Sequence, residues 1–261
     1  MSKHTFVICA YKESKYLEKC VKSIVSQSLK SDVIIATSTN NSFIRGVSES
    51  YSIPMIVADH ESDIARDWNF AIKQAKTDYV TIAHQDDVYT TTYAEEVVGA
   101  IEKIPDAIIC FTDYFEIRDG KKVRKNNNLI IKRILLFPLL MRKLAGFKLI
   151  KRMPIAFGNS ICCPSVTYIK SKISEDPFTE GMKSNIDWEE WEKLSKQKGK
   201  FIYIPKMLMG HRIHQSSTTT QIIGDSSRGE EDYYMFRKFW PKSIAKLLSG
   251  VYKKSEKSND L

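Results

Sequence analysis

No stretch of this 261-residue sequence approaches the run of about 18 apolar residues that a membrane-crossing helix needs. The opening MSKHTFVICAYK has neither the charged start nor the long apolar run of a secretory leader. The expectation is therefore a soluble or membrane-surface protein of the cytoplasm. Cysteine is scarce and unpatterned: Cys9, Cys20, Cys110, Cys162 and Cys163 are odd in number and never spaced CxxC. They read as reduced core thiols in a reducing compartment. Neither GxGxxG nor GxxxxGK[ST] stands at any strand end, so a Rossmann dinucleotide site and a P-loop are both unsupported. Acid is missing from one long stretch, since Lys121 to Ser174 holds 13 Lys or Arg and no Asp or Glu. The net charge of +9 less those 13 leaves −4 for the rest of the chain. One segment is basic and the domain is not, which argues against a nucleic-acid partner.

What is present is enough for a sizeable core, with 43% hydrophobic residues in a length that suits one large domain with at most a small annex. The first half alternates two patterns. Short β-rich runs at His4–Ala10, Asp32–Ala36, Ile53–Val57, Asp78–Ala83 and Ala107–Tyr114 predict strands. Apolar residues at helical spacing predict helices over Ser14–Gln27, with Ser14 as a cap, over Ser62–Lys76 and over Thr92–Lys103. Strand–helix–strand repetition implies a mostly parallel sheet covered by helices. In such sheets ligands bind beyond the carboxyl ends of the strands. Three polar clusters fall at such ends: Tyr11-Lys12-Glu13, Ser38 to Asn41, and Asp86-Asp87.

After Gly120 the alternation stops. Leu129 to Arg152 is basic and apolar and is broken by Pro138 and Gly146. Ile161–Tyr168 reads as a strand and Asn185–Lys198 as a helix. Phe201–Ile204, ending at Pro205, and Met207–His214 read as two further strands. The tail from Phe236 is basic, with disorder expected from about Lys253.

Asp86-Asp87 carries the chemistry. Two adjacent carboxylates are costly to ionise without a counter-charge, and a divalent cation removes that cost. Mg²⁺ and Mn²⁺ take hard oxygen ligands, commonly one or two carboxylates with substrate phosphates. The plainer alternative is a solvated turn with a helix cap. Asp187, before the tryptophan-rich helix, is a cap or a general base. His211-Arg212-Ile213-His214, followed by Gln215 to Thr220, could neutralise and bind a diphosphate.

Taken together, Val7 to Glu13, Ser38-Thr39-Asn40, Arg66 to Asn69 with Ala71, Tyr79 to Asp87, Asp187 to Trp191 and Arg212-x-His214 with Ser217 resemble the ordered motifs of inverting family-2 glycosyltransferases of the GT-A fold. The resemblance spans about residues 5 to 220. It implies an α/β, three-layer α/β/α sandwich with a mostly parallel central sheet. It implies a nucleotide-sugar-binding half at 1–118, an acceptor-binding and catalytic half at 119–235, and a basic tail at 236–261. Ala10, Tyr11, Glu13, Ser38, Arg66 and Asn69 would line the nucleotide site. Asp86 would meet the ribose or a metal-bound phosphate. Asp87, with His214, would hold Mn²⁺ or Mg²⁺, Arg212 would complete the diphosphate site, and Asp187 would be the general base.

The implied reaction is transfer of a sugar from a nucleotide-diphosphate donor to a glycan or lipid-linked acceptor, with inversion, in surface polysaccharide synthesis. The chain departs from the family pattern in three places: Ala36-Thr37-Ser38 replaces an acidic turn, His84 stands two before Asp86, and Ile186 precedes Asp187, which keeps Glu189 as a second candidate base. Lys132, Arg133, Arg142, Lys143, Lys148, Lys151 and Arg152 flank apolar residues, a pattern suited to an anionic membrane surface or to a lid packed on the sheet. A metal-dependent nucleotidyltransferase and a non-enzymatic basic membrane-binding module are the competing readings.

Overall fold

A computed structural model describes residues 2–214 and 226–257 of the chain. Among these, nine strands form one sheet in the order β3-β2-β1-β4-β8-β6-β9-β5, with β7 paired to β6. The strands are β1 His4–Ala10, β2 Asp32–Thr37, β3 Met55–Val57, β4 Tyr79–His84, β5 Val88–Tyr89, β6 Ala107–Arg118, β7 Lys121–Val123, β8 Val166–Ile169 and β9 Lys200–Ile213. Parallel pairing joins β3, β2, β1 and β4, and joins β6 to β9. The antiparallel β8 is wedged between β4 and β6. Most paired residues therefore run parallel, within a mixed sheet.

Two apolar clusters cover the two faces. On one side lie α1 (Leu17–Val25), α2 (Ser42–Ser50) and α4 (Tyr93–Glu102), packed through Leu17, Ile24, Ile44 and Tyr93. On the other lie α3 (Ile64–Gln74) and α7 (Ile186–Ser195), packed through Ile72, Trp188 and Trp191. Between these faces in chain order come α5 (Asn127–Leu136) and the short α6 (Lys148–Arg152). The chain continues into α8 (Ser226–Arg237) and α9 (Lys242–Lys257). This is the expected three-layer α/β/α arrangement.

Several expectations are corrected. Helix α2 follows the polar turn after β2, started by Asn41, whose side chain accepts from the Ile44 N–H at 2.9 Å. Helix α1 begins at Leu17 after Tyr16, and the Ser14 hydroxyl accepts from the Tyr16 N–H at 3.3 Å, just ahead of the helix rather than at its cap position. The two strands expected around Pro205 are one strand, β9, which passes Pro205 through an irregular register against β6. Proline is tolerated there because a bulge needs no N–H at that point. Lys253 to Lys257 is helical, where disorder was expected. All five cysteines are free thiols. Among the described residues no helix is long and apolar enough to cross a membrane.

Candidate active site

The carboxyl ends of β1, β2 and β4 are laced together by side chains. The Tyr11 N–H donates to Gln85 Oε1 at 3.1 Å, and Gln85 Nε2 returns a bond to Tyr11 O at 2.9 Å. The Lys12 N–H donates to Thr39 Oγ1 at 2.6 Å. Lys12 has φ of +51°, a left-handed backbone uncommon outside glycine, which bends the chain sharply at the end of β1. Burial covers Ala10, while Tyr11 and Glu13 are exposed at the rim.

Asp87 sits at the centre and is fully buried. The two residues after it form β5, which pairs antiparallel with β9, Val88 opposite Gly210. A Cβ on Gly210 would come within 2.6 Å of the Phe115 ring, so the close approach of β9 to β6 needs glycine. That pairing carries His211 and Arg212 onto the carboxylate. The Arg212 N–H donates to Asp87 Oδ1 at 2.7 Å, and His211 Nδ1 lies 3.1 Å from the same oxygen. His214 Nε2 lies 2.9 Å from Asp86 Oδ2, and Arg212 Nε donates to Asp86 O at 2.8 Å. Tyr16 lies beneath both partners: the Arg212 guanidinium is 4.3 Å from its ring centre, and the His214 ring is 5.0 Å away.

The charges follow from this geometry. Burial pushes the Asp86 carboxyl up, but the hydrogen bond from His214 and the nearby His84, His211 and His214 outweigh it and hold it below the usual range. Burial pushes the His211 imidazole down, and the Asp87 charge and hydrogen bond reverse this and raise it. His84 is lowered by burial, stacks on Trp68 at 5.2 Å and leaves Nε2 buried without a partner.

Asp187 is the opposite case. It occupies the first turn of α7, whose preceding main-chain N–H groups are gathered by Glu231 of α8. Asp187 is thus not the cap. Half-buried, it accepts from Asn159 Nδ2 at 2.7 Å and from the Trp188 N–H at 2.8 Å. Burial raises its carboxyl above the usual range, and those two bonds only partly offset the rise. Glu189 is tied to Lys193 at 3.0 Å, Lys238 at 3.1 Å and Thr179 at 2.8 Å. Burial raises that carboxyl, but these partners outweigh it and hold it low, so Glu189 is a structural anion and not a poised base.

The structure brings Asp86, Asp87, Arg212 and His214 together. It does not bring Asn69 to them. Asn69 is buried on the inner face of α3, where Nδ2 donates to Phe178 O at 2.8 Å and Oδ1 accepts from the Phe178 N–H at 2.9 Å. Irregular backbone at Phe178 has no strand partner, and the amide satisfies it. Arg66 likewise points at the same loop, 3.6 Å from Glu180. The Ser38 hydroxyl donates to Asp67 of α3 at 3.1 Å, and Asp67 also takes His60 at 2.9 Å and Ser62 at 3.0 Å. So a carboxylate reaches the β2 turn from α3, although the turn itself has none. Sequence reasoning gave no role to Asp67, Gln85 or Tyr16, and named His211 only as part of the His-Arg-Ile-His run, without its bond to Asp87. Ser217 and the hydroxyl-rich run from 215 lie outside the described residues.

A cation site is compatible with this donor set but incomplete within it. Among the described residues no group of three or more His, Cys, Asp or Glu side chains closes around one point. Mg²⁺ commonly takes only one or two carboxylates and completes its shell with substrate phosphates and water. Neighbouring ligands in such a shell are about 3 Å apart, given metal–oxygen distances of about 2.1 Å. His214 Nε2 and Asp86 Oδ2, 2.9 Å apart, are joined by a hydrogen bond that a cation held by both would replace.

The glycosyl transferase family 2 model matches residues 5–176. Among solved structures, S. aureus TarS residues 1–349 with UDP-GlcNAc superposes at a TM-score of 0.64 and 14% identity, over 95% of this chain and 70% of that one. Full TarS gives 0.62 over 94% of this chain but 42% of its own length. The mannosyltransferase PcManGT from Pyrobaculum calidifontis, with GDP-Man and Mn²⁺, gives 0.63 at 11% identity, over 96% and 69%. At such identities these likenesses carry the fold. No curated protein sequence matches the chain significantly.

Proposed function

The chain belongs to glycosyl transferase family 2, and from that premise we propose that it moves a sugar from a nucleoside-diphosphate donor to a hydroxyl of a glycan or lipid-linked acceptor, with inversion, in making a surface polysaccharide. The observation that carries the reading is the contrast between two acid environments: a carboxylate pair crowded by His211, His214 and Arg212, and an Asp187 held by neutral partners and raised by burial. The solved structures of similar fold hold UDP-GlcNAc and GDP-Man, which supports a nucleotide-sugar donor.

Asp87, with Asp86 and His214 beside it, would hold Mn²⁺ or Mg²⁺. When bound, the ion supplies positive charge opposite the departing diphosphate. The chain's own residues do the rest. Arg212, fixed over Tyr16, adds a second positive charge at the pair. Ala10, Tyr11 and Ser38 border the nucleoside at the strand ends, with Glu13 at the rim, while Arg66 and Asn69 act indirectly by fixing the loop at 178–180. Asp187 accepts the proton of the acceptor hydroxyl, and its raised pKa suits a base that works near neutral pH. Direct attack by that oxygen from the face opposite the leaving group inverts the anomeric centre. No observation favours the nucleotidyltransferase or the non-enzymatic reading over this one.

Titration calorimetry with a panel of nucleotide sugars, with and without Mn²⁺ or Mg²⁺, tests the proposal. Metal-dependent binding of at least one donor is expected. Failure of every donor to bind in the presence of metal would overturn it.

A further inference from the structure

The basic segment after β7 is not uniformly cationic on its surface. Four of its seven flanking cations are turned inward. Lys132 Nζ donates to the Tyr114 hydroxyl at 3.0 Å, and Arg133 pairs with Asp113 at 2.8 Å. Lys151 is fully buried and donates to Gln197 O, and Arg152 pairs with Glu192. Arg142, Lys143 and Lys148 are left exposed, with no ion pair among the described residues. Around them Ile134, Phe137, Phe147 and Leu149 are 60–70% exposed.

The last helix bears a surface of the same kind. Its inner stripe, Ala245, Leu248 and Tyr252, packs on the core. A neighbouring stripe is apolar and bare: Leu247 is 68% and Val251 58% exposed, beside the exposed Lys242 and Lys246. Contacts join α9, and the turn just before it, to the acid-free stretch beyond α6. Trp240 Nε1 donates to Ala156 O at 2.7 Å, and a Cβ on Gly158 would lie 2.6 Å from the Tyr252 ring.

Exposed apolar side chains gathered among cations of one sign, on segments too short to span a bilayer, match the chemistry of an interfacial surface. We propose that α5, the turn at 137–149 and α9 form one docking face for an anionic lipid bilayer, with the apolar side chains entering the headgroup boundary and Arg142, Lys143, Lys148, Lys242 and Lys246 meeting anionic headgroups. A second copy of the chain is the poorer occupant. A two-fold interface would bring this face against itself, like charge against like, and residues 121–174 supply no acid to answer. The face lies on the outer side of α5, whose inner side reaches Tyr114 beside His211. Docking therefore holds the site close to the bilayer. Binding itself is independent of the proposed transfer; delivery of a lipid-linked acceptor rests on it.

Flotation of the full chain with phosphatidylcholine vesicles, with and without phosphatidylglycerol, tests this with no nucleotide sugar present. The wild type is expected to float only with the anionic vesicles, less so at high salt. Arg142→Gln/Lys143→Gln/Lys148→Gln is expected to weaken binding about 100-fold, given roughly a factor of five for each charge. Phe147→Ser/Leu149→Ser is expected to remove the salt-resistant part. Both variants change exposed side chains, and unaltered melting and nucleotide-sugar binding would show that the fold is intact. Equal recovery with neutral and anionic vesicles, no flotation with either, or wild-type binding by the triple variant would overturn the proposal. So would a concentration-dependent dimer, broken by Phe147→Ser, with no vesicle binding.

Discussion

Two partly buried acids of this molecule, Asp86 and Asp187, are treated in opposite ways. Asp86, next to Asp87, is surrounded by imidazoles, and those partners overcome burial and keep it anionic. Asp187 is met by an amide and a main-chain N–H, and burial wins. His84 feels both ends, with its Nδ1 3.9 Å from Asp87 and the charge of Asp187 acting on it. The difference teaches that burial alone assigns no role. An acid crowded by cations stays charged, as the proposed binding role needs; an acid held by neutral donors keeps its proton to higher pH, as the proposed base needs.

The hardest blow to that comparison is Asp87→Ala. It removes the buried acceptor of the Arg212 N–H and His211, and transfer is expected to fall about 10⁴-fold, in line with the several kcal/mol a catalytic cation contributes. Calorimetry should show that metal no longer strengthens donor binding. Retained metal-dependent binding would break the assignment. Asp187→Asn strikes the other acid. Donor binding is expected to persist while transfer drops about 10³-fold. In the wild type, kcat/KM should climb with pH as Asp187 loses its proton, with a midpoint above the usual carboxylate range. That limb should vanish in the variant. An unchanged pH–rate profile would remove Asp187 from the mechanism.

A smaller effect separates binding from orientation. His211→Asn is expected to cost about 10- to 100-fold in Mn²⁺ affinity, because partners that orient a ligand typically contribute that much. An unchanged metal titration would show His211 to be a bystander. The smallest effect is a control far from both acids. His4 is buried between Ser31 and Thr81, and burial pushes its imidazole down to about 3. An unfolded histidine titrates near 6.5. Between those values the unfolded chain binds a proton that the folded chain refuses, so stability falls as pH drops through that window and is unaffected above it. The slope is at most about 1.4 kcal/mol per pH unit. Urea midpoints for His4→Gln should fall less steeply below pH 6 than those of the wild type. Equal slopes would put the acid sensitivity elsewhere.

Much of this was legible from local pattern. Strands β1, β2 and β4 and helices α3, α4 and α7 announce themselves by the spacing of apolar residues, and Asp86-Asp87 by its place at the end of β4. Helix α2 was not, because only a single Asn41 cap after a polar turn marks its start. Nor was the continuity of β9, because Pro205 ends a strand by local rules and only pairing with β6 carries the chain past it.

Sequence by itself determined the family, the alternation that builds the sheet, and the order in which the acids and the His-Arg-Ile-His run arrive. Those properties are written in nearest neighbours and short periods. Tertiary structure alone decided what each charge does. Asp187 is 28 residues from Asn159, and Asp87 is 124 from His211. Asp67 reaches the β2 turn, Asn69 is spent on Phe178, and four cations of the basic segment turn inward. A side chain's charge state and accessibility depend on what the fold packs against it, and that partner is set by the sheet's register, not by position along the chain.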